Sequence, residues 1–377
     1  MSSPWDQPAP EKACVQRPNA AGLSRQDMAA LMQRLGEPGF RATQLFEGLY
    51  RHRWQRWGDF TNLPKALRER LESEVELRWP DLAESIPSSD GSTKHAFRLD
   101  DGRLVEGVHM PYDDRATLCL SSQVGCAMGC TFCATGTMGI LRNLTAAEIV
   151  GQVMALLVAH EHPFGKPVNL VFMGMGEPLH NLDHVMEAFR ILTDAKGLAI
   201  PSRRITVSTS GLVSGIEKLG REAQRPRLAV SLNGTTDEER SRLMPVNRVW
   251  NLEALRRALQ GFPLEKGERI TLEYVLIQGH TDRPDDARRL AAYAKGFPSK
   301  INLIPYNPSE GAGFTPALES AIDAFCRLLV NERLDVSVRR SRGQDVAGAC
   351  GQLVRKRENK ESQRSFVSRI GGADVES

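Results

Sequence analysis

Long apolar runs are absent from this sequence of 377 residues, and its net charge is small. No uninterrupted apolar stretch reaches the roughly 18 residues that a transmembrane helix needs, so the sequence predicts no membrane span. A formal net charge of +3 does not by itself indicate a nucleic-acid partner. The N-terminus is polar and rich in proline, without the apolar centre of a signal peptide. We therefore expect a cytoplasmic protein with no membrane partner.

The sequence also lacks an even number of regularly spaced cysteines. It has seven cysteines, which cannot all pair with one another, and they are unevenly placed. Four of them lie between Cys119 and Cys133, whereas Cys14, Cys326 and Cys350 stand alone. A disulfide scaffold would distribute its cysteines through a short secreted chain. Clustered thiols in a reducing compartment indicate metal binding or catalysis instead.

Hydrophobic periodicity divides the chain into a small helical unit and a larger α/β unit. Ser24 and Asp27 form a capping-box pattern at the start of one helix, and two more helical patterns follow. Two short strands around Asp101 and Gly102 then predict a hairpin. The predicted segments are a disordered lead-in over 1–21, a helical accessory domain over 22–93, a hairpin extension over 94–111, the α/β core over 112–345, and a C-terminal segment with a flexible charged tail over 346–377.

The core alternates β-rich runs with amphipathic helical patterns from the run ATLCLSS to the run VSVRR. Strand and helix in alternation predict a parallel sheet with helices packed outside it. About six such units are too few to close an eight-stranded barrel. We therefore predict an open or partial barrel.

The segment CAMGCTFC places Cys126, Cys130 and Cys133 at C-x3-C-x2-C spacing, which lets one loop wrap a single inorganic centre. A structural zinc site needs four protein ligands, usually two pairs from separate segments. Three thiolates on a four-iron cluster leave one iron open to bind a substrate. The alternative is a zinc loop that borrows a fourth ligand, such as Cys119 or a histidine.

Polar residues follow four of the predicted strands at the point where each strand ends. Ligands of parallel α/β folds bind beyond the carboxyl ends of the strands, so these side chains are expected to converge on one site. Singly, each residue is more typical of a turn or a helix cap, and only their common position at equivalent strand ends favours a binding site. The residues concerned are Gly176 and Glu177 in GMGEP, Ser208, Ser231, Asn233 and Asn307.

The cysteine motif, with Phe132 before Cys133, resembles the signature of the radical S-adenosylmethionine superfamily. The resemblance implies a partial (βα)6 barrel, a [4Fe–4S] cluster and S-adenosylmethionine bound at the open iron. The segments DDRATLCLSSQVGC, GMGEPLHN, RLMPVNR, NLIPYNP and ACGQL further resemble the RlmN/Cfr family of RNA adenine methyltransferases, and most closely its RlmN branch. This likeness runs from about residue 22 to residue 355.

The resemblance implies methylation of carbon 2 of adenine in 23S rRNA, and of tRNA as well. Cys350 would first receive a methyl group from one S-adenosylmethionine, and a second molecule would supply the radical that activates this methyl group. Cys119 would resolve the protein–RNA adduct by forming a disulfide with Cys350, and Glu106 would take the carbon 2 proton. The alternative within the family is a Cfr-like enzyme that methylates carbon 8.

The resemblance also implies a set of cofactor contacts and partners. One position departs from the family, because Asn233 stands where relatives have a histidine, and asparagine does not titrate near neutral pH. The expected partners are the RNA and a one-electron reductant such as flavodoxin or ferredoxin, and the chain is expected to be a monomer. The implied S-adenosylmethionine contacts are Gly176, Glu177, Ser208, Ser231, Leu232, Asn233 and Asn307.

The helical unit carries a run of cations with two tryptophans among them, which suits structured RNA. The alternative is a solvated helix face with the tryptophans in the core. Two broader alternatives are a radical enzyme with a different substrate and a non-enzymatic RNA-binding module. The residues in the run are Arg51, Arg53, Arg56, Lys65, Arg68, Arg70, Trp54 and Trp57.

Overall fold

The structure is a computed structural model that describes residues 17–308 and 312–352. Cys14, residues 1–16 of the predicted lead-in and the charged tail from residue 353 lie outside the described residues. Within the described part of the chain, no helix is long and apolar enough to cross a membrane.

Ten α-helices are present in the described residues, and Glu47–Arg51 continues the second of them as a π-helical turn. They are α1 (Arg25–Arg34), α2 (Phe40–Phe46), α3 (Lys65–Glu74), α4 (Ala146–Ala159), α5 (Leu182–Thr193), α6 (Val213–Gly220), α7 (Asp237–Leu243), α8 (Leu252–Gln260), α9 (Pro284–Ala294) and α10 (Glu319–Asn331).

Twelve strands accompany these helices in the same described ranges. They are β1 (Asp81–Pro87), β2 (Thr93–Arg98), β3 (Leu104–Pro111), β4 (Ala116–Cys119), β5 (Gln123–Cys126), β6 (Gly139–Asn143), β7 (Val168–Phe172), β8 (Ile205–Thr209), β9 (Arg227–Ser231), β10 (Ile270–Leu276), β11 (Ser299–Pro305) and β12 (Val336–Val338).

Ten strands form one sheet in the order β1-β2-β3-β4-β7-β8-β9-β10-β11-β12. In this sheet, β4 and the strands β7 to β12 run parallel to one another. Helices lie between them along the chain, from α4 to α10, as the alternating pattern predicts. The strands β1, β2 and β3 are antiparallel and extend the sheet at one edge. The hairpin predicted over 94–111 is therefore part of the main sheet, and β1 is an additional strand within the segment predicted as helical.

The N-terminal helices pack against the outer face of the core through α4. Tyr50 is fully buried, and its hydroxyl donates to the backbone oxygens of Ala21 and Leu23 at 3.1 Å each. A Cβ on Gly22 would lie 2.5 Å from Cβ of Ala147, which shows how closely this segment meets α4. Ala20 and Ala21 are fully buried, so the lead-in predicted to reach residue 21 is wrong for its described end, which is packed.

Candidate active site

A cavity of about 180 Å³ opens at the carboxyl edge of the parallel strands. The three cysteines of the predicted cluster motif lie on its wall together with residues from the ends of β7, β8, β9 and β11. Cys350, near the end of the described chain, reaches the same cavity. The predicted residues that line it are Cys126, Cys130, Cys133, Gly176, Glu177, Ser208, Ser231, Asn233, Asn307 and Cys350.

The cysteine loop begins in a two-stranded sheet that β5 forms with β6. Gly125 has a φ of +79°, and a Cβ at this position would lie 2.0 Å from the carbonyl oxygen of Gly139, so only glycine fits. Farther along the loop, the amide of Thr131 donates to the carbonyl oxygen of Leu243 at 3.0 Å. The loop is therefore held at its start by β6 and in its middle by the end of α7.

Electrostatics favours a cationic centre among the three thiols. Burial raises the pKa of Cys126 and Cys130, and the charges of neighbouring cysteine thiolates raise it further. Burial likewise raises the pKa of Cys133, whereas hydrogen bonds from Gly136 and Thr135 lower it. Iron ions would compensate three thiolates that otherwise repel one another, so the donor set fits an iron–sulfur cluster. In the described residues, no three His, Cys, Asp or Glu side chains are arranged to hold a single metal ion.

Glu177 is buried in the cavity wall with its carboxylate fixed by the chain. One oxygen accepts from the amide and the hydroxyl of Ser210 at 2.7 and 2.8 Å, and the other accepts from the amide of Leu179 at 3.1 Å. Burial raises the pKa of Glu177, while the hydrogen bonds from Ser210 lower it. The carboxylate therefore points into the cavity in a defined orientation.

A second buried carboxylate, Glu273, joins the ends of three strands, and the sequence reasoning missed it. Its Oε2 accepts from the hydroxyl of Ser208 at 2.6 Å and lies 3.4 Å from that of Ser231. Its Oε1 lies 4.0 Å from Nη1 of Arg339, another unpredicted cavity residue. A glutamate inside the otherwise apolar run ITLEYVLI was the signal that could have identified it.

Asn233 occupies the left-handed region, with a φ of +49°, a conformation that asparagine tolerates better than most residues. Its Oδ1 accepts from the amide of Val275 at 2.9 Å, and its Nδ2 lies 3.5 Å from Sδ of Met244. Asn307 is held through a 2.7 Å hydrogen bond to the hydroxyl of Ser341. Leu232, in contrast, is fully buried and does not line the cavity.

Cys119 and Cys350 come together from strand β4 and the C-terminal segment. Cys119 is buried beside Val108 and Met110, whereas Cys350 is accessible through the cavity. Burial and the neighbouring Cys350 thiolate raise the pKa of Cys119 to about 12, which Arg339 partly offsets. Although Cys350 is accessible through the cavity, desolvation by the cavity walls raises its pKa, again opposed by Arg339. Both thiols are free, and both lie in the field of one guanidinium.

Glu106 does not line the cavity, although it lies near the segment that carries Cys350. It is 2% exposed on β3, and its Oε1 lies 3.8 Å from Nζ of Lys94. The same ammonium donates to the carbonyl oxygen of Ala347 at 3.2 Å. Lys94 therefore connects Glu106 to the C-terminal segment.

The predicted RNA-binding face of the helical unit is only partly available. Trp57 is buried, and Trp54 packs on Phe60 with ring centroids 5.1 Å apart, so both tryptophans belong to the core. Nη1 of Arg53 donates to the carbonyl oxygen of His162 at 2.7 Å. Arg56 and Lys65 are mostly exposed, each near an acidic neighbour.

Two family models match the chain. The Radical SAM superfamily model covers residues 120–291, and the model of the ribosomal RNA large subunit methyltransferase N-terminal domain covers residues 18–77. The first match contains the cysteine loop and the strand ends from β7 to β10, and the second contains α1 to α3.

Named relatives and a solved structure are similar over nearly the whole chain. A protein of Myxococcus xanthus named dual-specificity RNA methyltransferase RlmN 2 is 46% identical over 95% of this chain and 96% of its own. A Geobacter sulfurreducens protein named dual-specificity RNA methyltransferase RlmN is 48% identical over 89% of this chain and 91% of its own. The crystal structure of a radical SAM methyltransferase from Sphaerobacter thermophilus has a TM-score of 0.85 and 41% identity, and covers 89% of this chain and 99% of that one.

Proposed function

Because the chain belongs to the RlmN family of radical S-adenosylmethionine enzymes, we propose that it methylates carbon 2 of adenine in 23S rRNA and in tRNA. The relatives named as dual-specificity RNA methyltransferases support both the reaction and the class of substrate. Its cofactors are a [4Fe–4S] cluster and S-adenosylmethionine.

The proposal rests mainly on the position of Cys350, which lines the same cavity as Cys126, Cys130 and Cys133. Cys119 lies within electrostatic reach of Cys350. Carbon 2 of adenine lies between two ring nitrogens and is electron-poor, so it cannot attack a sulfonium methyl group directly. A thiol beside the cofactor site can accept the methyl group and carry it to carbon 2 of adenine.

In the proposed assignment, Cys126, Cys130 and Cys133 hold the cluster, which when bound supplies the electron that cleaves S-adenosylmethionine into methionine and a 5′-deoxyadenosyl radical. Glu177 binds the amino group of the methionine part. Ser208 and Ser231, oriented by Glu273, serve as hydrogen-bonding groups for the cofactor. Gly176, Asn233 and Asn307 complete the wall, and Leu232 contributes through its backbone position between Ser231 and Asn233.

Cys350 is the proposed methyl carrier. Its thiolate attacks the methyl carbon of one S-adenosylmethionine, so that a sulfur–methyl bond forms, the sulfonium–methyl bond breaks and S-adenosylhomocysteine leaves. Its position on the cavity wall gives it access to the cofactor. Arg339 favours the thiolate that this step requires, since it lowers the pKa of Cys350 against the effect of burial.

Cys119 and Glu106 are proposed to act after the methyl carbon has bonded to adenine. Cys119 and Cys350 lie within electrostatic reach of each other, and we propose that they form a disulfide when the product is released. Glu106 is the proposed base for the carbon 2 proton, and its link through Lys94 to Ala347 would let it follow movements of the C-terminal segment.

The proposed partners follow from the reaction. The cluster requires a one-electron reductant protein such as flavodoxin or ferredoxin. We propose that the enzyme acts on its RNA substrates in the cytoplasm and that it acts as a monomer. Exposed cations of the helical unit, among them Arg56 and Lys65, are proposed to contact RNA phosphates.

The test is anaerobic reconstitution of the full chain with iron and sulfide, followed by reaction with reductant, S-adenosylmethionine and unmodified 23S rRNA or tRNA. Digested RNA is analysed by mass spectrometry. We expect 2-methyladenosine from the wild type and none from Cys350→Ala. Cys326→Ala is the matched control, because Cys326 lies on α10, away from the cavity lining, and should leave the yield unchanged.

Other outcomes would contradict specific parts of the proposal. Formation of 8-methyladenosine would replace it with the Cfr-like reaction. Cleavage of S-adenosylmethionine without modification of either RNA would refute the substrate. Equal product yields from the wild type and Cys350→Ala would refute the methyl-carrier role.

A further inference from the structure

Arg240 on α7 is a fully buried arginine in the core of the catalytic unit. Its exposed fraction is 0%, and it is the largest fully buried side chain among the described residues. No carboxylate in those residues lies within 4.0 Å of its guanidinium, in contrast to Arg289, which pairs with the buried Asp286. A buried charge without an opposite charge is unfavourable, so this position requires an explanation.

Neutral oxygens satisfy all three guanidinium nitrogens. Nε donates to the carbonyl oxygen of Leu232 at 2.9 Å, Nη1 to Oδ1 of Asn247 at 2.9 Å, and Nη2 to the carbonyl oxygen of Ser210 at 2.5 Å. Ser210 directly follows β8 and Leu232 directly follows β9, and both strands end at the cavity. Arg240 therefore fixes the backbone of two cavity-lining segments but leaves its own charge uncompensated by these partners.

Arg240 fits at this place because two neighbouring residues, Gly211 and Gly234, have no side chains. A Cβ on Gly211 would lie 2.8 Å from Nη2, and a Cβ on Gly234 would lie 2.9 Å from Cα of Arg240. Gly211 also has a φ of +100°, which disfavours other residues. The surrounding chain is thus shaped to admit a guanidinium at this point.

The cysteine loop packs against the helix that carries Arg240. The carbonyl oxygen of Leu243 accepts from Thr131, which follows Cys130, and Leu243 and Met244 pack with Cys126, Cys130 and Met128. Burial lowers the pKa of Arg240 to about 10, and the charges of Tyr293, Cys130 and, more weakly, Asp237 act in the opposite direction. The guanidinium thus remains charged at neutral pH within the electrostatic reach of a cluster cysteine.

We propose that Arg240 is a positioning residue whose charge compensates the anionic iron–sulfur cluster and raises its reduction potential. Three thiolates leave the oxidised cluster negatively charged, and reduction adds one more negative charge. A cation fixed in a medium of low dielectric constant favours the reduced state most strongly, because the attraction grows with the charge. This inference rests on the proposed cluster site and adds a residue that sets how readily the cluster accepts its electron.

The test compares the midpoint potential of the reconstituted full chain with that of three variants by redox titration followed by electron paramagnetic resonance. Arg240→Gln removes the charge, and Arg240→Lys keeps it. Asn247→Asp retains the guanidinium but places a carboxylate at the atom 2.9 Å from Nη1. We expect Arg240→Gln and Asn247→Asp to lose about tenfold in the equilibrium constant for reduction, which is about 59 mV. Arg240→Lys should stay close to the wild-type value.

Arg225→Gln is the matched control. Arg225 is also largely buried, but it precedes the amino end of β9, at the opposite end of the strand from the cavity, so its loss should not change the potential. A wild-type potential in either charge-changing variant, at full iron content, would overturn the inference. If Arg240→Gln does not fold, Asn247→Asp decides alone. Failure of the wild-type chain to bind a cluster would instead refute the proposed function.

Discussion

Glycines in the segment GMGEP determine where the acidic group of the cofactor site lies. Gly176 has a φ of +101°, and a Cβ there would lie 2.6 Å from Cβ of Gln123. The next amide, that of Glu177, donates to Oε1 of Gln123 at 2.8 Å. Close approach of these two segments and the left-handed backbone therefore act together to direct Glu177 into the cavity.

The substitution Gly176→Ala should destabilise the fold by about 2–4 kcal/mol, because backbone strain and steric overlap add. Gly267→Ala is the matched control, since Gly267 has a φ of +80° but a Cβ there would meet nothing within 4 Å. It should lose only about 1–2 kcal/mol. Urea denaturation of both variants measures the difference, and equal losses would show that contact with Gln123 is unimportant.

Residue by residue, the sequence predicted the cavity wall well where strands end in polar residues, because parallel strands bring those ends to one edge. Arg339 was missed because nothing marks it until the segment after β12 is placed beside Cys119. Glu273 was missed because its apolar run was interpreted only as a strand, although a glutamate within such a run was itself a signal. Leu232 was assigned a contact through family resemblance alone, and its side chain faces the core.

At the scale of elements, the turn between β1 and β2 anchors the segment that carries Cys350. Oδ2 of Asp90 accepts from the amide of Gly343 at 2.8 Å. Asp345 accepts from the hydroxyl of Ser88 at 2.6 Å and from the amide of Ser89 at 2.9 Å. These contacts connect the antiparallel extension of the sheet to the proposed methyl carrier.

Replacing Asp90 and Asp345 together by alanine should loosen residues 342–350 without removing a cluster ligand. We expect faster hydrogen exchange in this segment and slower formation of S-methylcysteine at Cys350, with unchanged iron content. Asp335→Ala provides the control, because Asp335 pairs with Arg269 at the amino ends of β12 and β10, opposite the carboxyl edge that holds the cavity. If the double variant methylates Cys350 at the wild-type rate, the anchor has no role in the reaction.

The stabilisation that Asp90 gives to this anchor should decrease as the pH falls. Burial alone would raise the pKa of Asp90, but hydrogen bonds from Ser92 and Gly343 lower it to about 2. A lowered folded-state pKa means that the stabilisation is complete above the ordinary aspartate value of about 4 and is lost as the pH falls towards 2. Thermal unfolding of the wild type and Asp90→Asn should therefore differ above about pH 5 and converge only as the pH falls to about 2. A difference that grows on acidification would contradict this.

Long periodic elements such as α4, α5 and the core strands could be predicted, whereas several short elements could not. β1 is almost entirely exposed along its length, so no alternation of apolar and polar residues marks it. The helix α7 is seven residues long and rich in charged residues, and its stability comes from a cap at Thr236 and from packing that the sequence does not display. The two-stranded sheet around the cysteine loop was likewise not predicted.

At the scale of the whole molecule, the chain brings three distant segments to one cavity. The cysteine loop starts at the end of β5, and the polar residues lie at the ends of successive parallel strands. The C-terminal segment returns past β12 and places Cys350 at the same cavity. Strand and helix alternation sufficed to predict the first two, because they follow from parallel topology. The meeting of Cys119 with Cys350 followed only from family resemblance, since spacing along the chain contains no information about it.

The central claim is that the transferred carbon passes through Cys350 and loses a hydrogen there. The most direct measurement is mass spectrometry of the products formed over several turnovers with S-adenosylmethionine that carries a trideuterated methyl group. We predict that 2-methyladenosine retains two of these deuterium atoms and that 5′-deoxyadenosine gains one. A product with all three deuterium atoms, or with none transferred to 5′-deoxyadenosine, would contradict the account.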